Sequence, residues 1–136
     1  MDTSVLVAAI RSDAGASRRL VVAILGGRPR MLVSVPLMLE YQSVLSRREH
    51  LASSGLTTGE METILDALAA VSEPVRIAFL WRPQLRDPAD DMVLETAVNG
   101  RAGAIVTFNQ RDFAAAEQRF GIEVISPAET LRRLHI

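Results

Sequence analysis

The stretch Arg86-Asp87-Pro88-Ala89-Asp90-Asp91-Met92-Val93-Leu94-Glu95-Thr96-Ala97 places three aspartates at the opening of what the pattern predicts as a helix. Asp87 suits the N-cap, and Pro88 suits the first helical position, where a missing N–H is no loss. Val93, Leu94, Ala97 and Val98 mark an inward face. The positions three before Val93 and four before Leu94 coincide at Asp90, so the spacing puts Asp90 on the buried side and Asp91 at its flank. A carboxylate on an apolar stripe is costly unless a positive group meets it.

Three more acids invite the same question. Glu40 lies three after Leu37 and four before Val44, so it points along the stripe Leu37, Tyr41, Val44, Leu45. A Glu at the stripe's edge, paired with Arg47 or Arg48, is the alternative. Asp2 precedes an apolar run, and Asp112 follows a strand candidate, where it could equally cap a helix from Phe113 to Arg119. The chain has no cysteine and only His50 and His135 as imidazoles, so any metal here is expected to be held by oxygen, which favours magnesium or manganese. Crowded like charges resist joint ionisation, and a divalent cation reverses that cost. One or two such ions can activate water and steady an in-line displacement at phosphorus, so the chemistry in view is phosphodiester hydrolysis. A phosphatase with an N-terminal Asp nucleophile wants a second acid two residues later, where this chain has Ser4.

These acids need elements to bring them together. Met1 to Ile10 reads as a short strand running into a turn, and Ser12 to Ser17 as a loop. Leu20, Val21, Ile24 and Leu25 give a helix stopped by Gly26-Gly27. Arg30 to Val35 is a strand candidate, followed at once by a helix with Ser34 and Pro36 at its start. Arg47 to Gly55 reads as a connection. Thr57 or Thr58 caps a third helix, with Glu60 or Glu62 in its first turn and Met61, Ile64, Leu65, Leu68 and Ala69 as its stripe. Val75 to Phe79 is a possible strand, and Trp81 sits in a Pro-bounded loop, where packing is expected of it. The Pro88–Asn99 helix stops at Asn99-Gly100. Ala102 to Phe108 is a strand, Asn109 to Phe113 a turn and Ile122 to Ile125 a last strand. Ser126-Pro127-Ala128-Glu129 opens the final helix. Alternating strands and helices predict an α/β fold with a parallel sheet between helices. In such sheets, sites form along the edge at the strands' C-terminal ends. Glu40, Asp90 and Asp112 fall at that edge, and Asp2 joins them if its strand lies mostly before it.

At 136 residues and 49% apolar, the chain is expected to form one folded domain. Its net charge of −1 does not announce nucleic-acid binding by bulk electrostatics. Every basic side chain is Arg, whose fork suits phosphate, although base composition can produce the same bias. With no membrane-spanning stretch, a cytoplasmic location is the expectation.

Taken in order, these segments resemble the PIN-domain family of nucleases over nearly the whole chain. Asp2-Thr3-Ser4-Val5 is similar to the family's opening Asp-Thr-Asn/Ser-Val, whose acid binds metal. Glu40 in Leu-Met-Leu-Glu-Tyr matches the acid on the family's second helix. Asp87-Pro88-Ala89-Asp90-Asp91, with Leu94 and Ala97, resembles the acidic opening of the next active-site helix. Thr107-Phe108-Asn109-Gln110-Arg111-Asp112-Phe113 resembles Thr-x-Asn-x-x-Asp-Phe, and Ile125-Ser126-Pro127-Ala128-Glu129 resembles the closing strand and Pro-led helix. The resemblance implies a single PIN-like domain over 1–136, built as a three-layer α/β/α fold with a central, mostly parallel sheet of four to five strands. It implies a Mg2+- or Mn2+-dependent endoribonuclease, similar to the VapC-like toxins of type II toxin–antitoxin pairs. Its partners would be an RNA substrate, a cognate antitoxin protein and a second copy in a homodimer. Asp2, Glu40, Asp90 and Asp112 would hold the metal and orient water, with Asp87 and Asp91 as supporting acids. Thr3, Ser4, Asn109 and Arg111 would meet the substrate, and one or more of Arg11, Arg82 and Arg86 the RNA backbone. Two departures stand out. Only Met1 precedes the first acid, where the family has a strand; this implies either a longer start or a shortened strand with a poorly fixed Asp2. The second is the doubled Asp90-Asp91, of which Asp90 has the family spacing to Ala97. The rival reading is a catalytically weak or inactive PIN-fold module that binds protein.

Overall fold

The structure is a computed structural model that describes residues 1–79 and 84–136. Trp81 and Arg82 lie outside the described residues. Helix α1 (Thr3–Arg11) follows Asp2, which occupies the N-cap position in an extended conformation. The expected strand over Met1 to Ile10 is therefore a helix. Val5, Leu6, Ala9 and Ile10 are its buried residues, a spacing of one helical face. A short continuous apolar run cannot be told from a buried strand by periodicity alone. Helix α2 (Ala16–Leu25) packs back on α1 and ends at Gly26, with Gly27 at a positive φ of 101°.

Strands β1 (Leu32–Val33) and β2 (Glu73–Pro74) pair in parallel, as do β3 (Ala104–Val106) and β4 (Glu123–Ile125). The α/β class with parallel pairing holds. In place of one central sheet of four to five strands, the described residues form two separate two-stranded sheets. The physical reason is length: the strands run two or three residues, and the stretch ahead of α1 gives β3 a single ladder bond, Asp2 N–H to the Val106 carbonyl at 2.9 Å. The strand expected over 75–79 also shifts, to Glu73–Pro74.

Helix α3 (Val35–Leu45) starts as expected, with Ser34 Oγ accepting from the Leu37 N–H and Pro36 in its first turn. The expected connection after Arg47 contains α4 (Arg48–Ser54), which buries His50 and ends at Gly55 with φ 72°. Helix α5 (Thr58–Val71) carries a full capping box between Thr57 and Glu60. After a 3-10 turn at Gln110–Phe113 come α7 (Ala114–Phe120) and α8 (Pro127–Arg133), the latter capped by Ser126.

Helix α6 (Pro88–Asn99) is the axis of the molecule, touching α3, β1, β3 and the 3-10 turn. Val93 through Ala97 are all buried, so this helix is covered nearly all round. Its C-terminal end is tied down on two sides. The Asn99 amide accepts from the Ala78 and Phe79 N–H groups and donates to the Phe79 and Glu95 carbonyls. Gly100 lets β1 and the segment after β2 approach: a Cβ there would lie 2.7 Å from Val75 Cγ2, 2.8 Å from Leu32 Cδ1 and 2.9 Å from the Thr96 carbonyl. Gly100→Ala is expected to destabilise the fold by about 1–3 kcal/mol through overpacking, readable in a urea melt as a lower midpoint at unchanged slope.

Candidate active site

Asp2 is 5% exposed, and its carboxylate is held firmly. Oδ2 accepts from Ser4 Oγ at 2.7 Å and from Thr107 Oγ1 at 2.6 Å, and the Asp2 N–H is bonded to β3. The Tyr41 hydroxyl of α3 donates to the Met1 carbonyl. Burial, and then the Asp2 charge, pushes that phenol above its ordinary range, so it remains a donor. Asp2 is thus well fixed, in contrast to the poorly fixed ligand of the second sequence expectation. Ser4, expected at the substrate, spends its hydroxyl on Asp2.

Thr107 is fully buried at the end of β3. Its hydroxyl donates to Asp2 and accepts from the Asn109 N–H at 2.9 Å; the Asn109 carbonyl in turn accepts from the Asp112 N–H at 3.0 Å. One side chain therefore joins the first acid to the turn that carries the last. Sequence reasoning quoted Thr107 within its motif and gave it no role. The available signal was a Thr two residues before an Asn at a strand end, the pattern of a local side-chain turn.

At the mouth of α6 the two adjacent aspartates divide the work. Asp91 is 2% exposed, and its Oδ1 accepts from the Leu85 N–H at 3.0 Å and the Gln84 N–H at 3.3 Å. It clamps the loop that enters the helix, and it, more than Asp90, is the buried member of the pair. Asp91→Ala would leave those N–H groups without their acceptor, and a loss of about 1–3 kcal/mol in thermal unfolding is expected. Asp87 caps the helix, accepting from the Ala89 N–H at 2.9 Å. Asp90 is partly buried and faces the other acids. Burial, followed by the charges of Asp2, Asp87, Asp112 and Asp91, pushes its carboxyl up to about 7. This places Asp2, Asp90 and Asp112, from three distant parts of the chain, in one electrostatic neighbourhood.

Glu40 is half-buried and is not among the charges acting on Asp90. Among the described residues it makes no ion pair with Arg47 or Arg48 either. Thr3 is half-buried, while Asn109 and Arg111 are exposed. Arg86 and Arg111 line a cavity of about 440 Å³ together with Asp112 and Gln84. Arg11 stands at the far end of the nine-residue helix α1, roughly 13 Å along its axis from Asp2, and so away from this cluster.

The donor set suits a hard divalent cation, because it offers carboxylate oxygen and one acid whose ionisation its neighbours oppose. Among the described residues no group of three or more Asp, Glu or His side chains is arranged to grip a metal. Magnesium asks for less than that, since it uses one or two carboxylates and keeps its waters.

The acidic cluster thus lies at the C-terminal edge of the parallel strands of an α/β domain. The family model for the PIN domain matches residues 1–111, and the chain belongs to the PIN-domain family, whose members are generally nucleases. No curated protein and no solved structure matches the chain. Asp112 lies one residue beyond the matched range.

Proposed function

We propose that this chain is a Mg2+- or Mn2+-dependent endoribonuclease, the toxin of a type II toxin–antitoxin pair. The observation that carries the reading is Asp90: a carboxyl at the mouth of a central helix, held near 7 by burial and by the charges of Asp2, Asp87, Asp112 and Asp91. Carboxyls shifted by burial and by several like charges concentrate at functional sites. Asp2, Asp90 and Asp112 would hold the cation, with Glu40 as the fourth acid. The cation would supply Lewis-acid charge at the phosphate and ease loss of a proton from water. Ser4 and Thr107 fix the Asp2 carboxylate through its Oδ2. Arg86 and Arg111 offer forks to phosphate oxygens beside Asp112. The reaction breaks the bond from phosphorus to a sugar oxygen as water's oxygen bonds to phosphorus, and the leaving oxygen takes a proton. Phe108, 52% exposed and next to Thr107, offers a face on which an unpaired base can stack, which supports single-stranded RNA as substrate.

The partner protein in this reading is an antitoxin, and a homodimer completes the assembly. Val35 and Leu39, 74% and 58% exposed one turn apart on α3, support such contacts. Among the described residues no helix is long and apolar enough to cross a membrane. A cytoplasmic site of action fits this reading.

The rival, a catalytically weak or inactive PIN-fold module that binds protein, is favoured by two observations: Glu40 is not among the charges on Asp90, and no three-carboxylate grip forms among the described residues. Titrating Mg2+ and Mn2+ against a generic single-stranded RNA separates the two. Cleavage that needs the cation and is lost in Asp112→Asn supports the nuclease. A chain that binds neither ion, cleaves nothing and still captures a protein partner supports the module.

A further inference from the structure

Gln84 stands where the loop entering α6 meets α7, and it is held at both ends. Its backbone N–H donates to Asp91 Oδ1 at 3.3 Å, beside the Leu85 N–H at 3.0 Å, so the buried Asp91 fixes where the side chain starts. Arg119 of α7 fixes where it finishes, with Nη1 donating to Gln84 Oε1. A guanidinium only donates, so this pairing leaves the amide one orientation: carbonyl toward Arg119, N–H2 away from it. Among the described residues, Gln84 Nε2 has no hydrogen-bond partner. Gln84 lines the cavity of about 440 Å³ that Asp112 also lines, a volume within the range of about 300–1,000 Å³ typical of ligand clefts. Leu85 and Ala115 give this cavity an apolar wall. Arg86 and Arg111 stand in its lining and make no ion pair among the described residues.

We propose that this cavity takes a purine nucleotide of the RNA and selects guanine over adenine, with the Gln84 N–H2 reading the base and Arg119 positioning it. The ligand class rests on the nuclease reading above. A glutamine free to turn pairs well with adenine, giving N–H to N7 and accepting from the exocyclic N6. Here Arg119 has taken the carbonyl, so adenine would set one N–H2 against another. Guanine carries the acceptor O6 at that place, next to the acceptor N7, and meets the same donor with no group left unpaired. Discrimination of this kind comes from what the wrong base leaves unsatisfied. The apolar wall of Leu85 and Ala115 suits a ring face, and the arginine forks suit the nucleotide's phosphate. Phosphate contacts carry no sequence choice, so the choice falls to Gln84.

The probes are the 5′-monophosphates of guanosine, adenosine and inosine, titrated into the full chain without divalent cation and followed by the NMR signal of the Gln84 side-chain amide. The guanosine nucleotide should bind about tenfold tighter than the adenosine one and move that signal. Inosine keeps O6 and N7 and lacks the guanine 2-amino group, so it should bind as guanosine does. Gln84→Glu replaces the donor by an acceptor while keeping a partner for Arg119, and should reverse the preference toward adenine. Its added charge acts on both nucleotides alike, so the ratio of affinities is the readout. Arg119→Met frees the amide to turn, and the ratio should fall close to one. Melts without nucleotide check that both variants fold. The proposal is overturned if guanosine and adenosine nucleotides bind equally or not at all, or if Gln84→Glu leaves the ratio unchanged. It also fails if inosine behaves as adenosine does, which would assign the contact to the 2-amino group and the Asp112 carboxylate. Cation-dependent cleavage of RNA with no preference for guanine would sink this inference and leave the nuclease reading standing.

Discussion

Asp90→Asn should make the metal-free protein more stable while abolishing RNA cleavage. The sign follows from the carboxyl's position, held at about 7 in the fold against 3.8 for the free side chain. Between these values the folded chain binds more protons than the unfolded one, so stability falls as pH rises through that window. The wild type and the variant should therefore match below about pH 4, diverge through neutrality and stay apart above pH 7. Asp90 is only partly buried, so solvent screening reduces the gain to about 1–2 kcal/mol. Chemical melts at pH 4, 6 and 8 check the pattern. Divalent cation should then raise the melting temperature of the wild type and leave the variant almost unmoved, because the charge it would neutralise is gone. Cleavage should fall more than about a hundredfold, since even groups that only support a metal ligand commonly cost 10–100-fold. Equal stability of the two proteins at pH 8 would deny the crowding of charge on which the site depends.

Thr107→Val should damage the site without touching a carboxylate. The swap keeps shape and removes one hydroxyl, so Asp2 keeps only Ser4, and the Asn109 N–H loses its acceptor. Loss of a hydrogen bond to a charged group and one to backbone together should lower stability by about 2–3 kcal/mol. Activity should fall about 10–100-fold, because a shift of around 1 Å in a positioned group is enough for that. Thr107→Ser retains the hydroxyl and should recover most of the activity, an outcome that a purely packing role for Thr107 would not give. The kinetic signature is a higher cation requirement.

The helices were legible wherever a cap and a stripe coincided. Ser34-Pro36, Thr57 with Glu60, Asp87-Pro88 and Ser126-Pro127 each start a helix where the residues said they would. The strands were not, because two or three residues in a ladder leave too little alternation to read, and α1 shows how an unbroken apolar run hides its period. Within the site, strand ends and helix mouths suggested Glu40, Asp90 and Asp112 together, with Asp2 joining only if a strand lay before it; the charges acting on Asp90 include Asp2 and Asp112 and not Glu40. The division between Asp90 and Asp91 could not be anticipated. It assumed one inward face, and α6 is buried along five successive residues. Thr107 escaped for a related reason: a hydroxyl at a strand end shows its partner only once β3 lies beside Asp2.

Asn99-Gly100 carries a chemical liability that the fold keeps in check. In a loose chain this dipeptide readily cyclises: the glycine nitrogen attacks the asparagine side-chain carbon, ammonia leaves, and hydrolysis gives aspartate or isoaspartate. Here the Asn99 amide is committed to four backbone groups, and the Gly100 N–H donates to the Thr96 carbonyl at 2.9 Å. Nucleophile and target are both engaged, so deamidation at this bond waits on fraying of the end of α6. On storage, isoaspartate at position 99 therefore serves as a slow clock for how often that helix end comes undone.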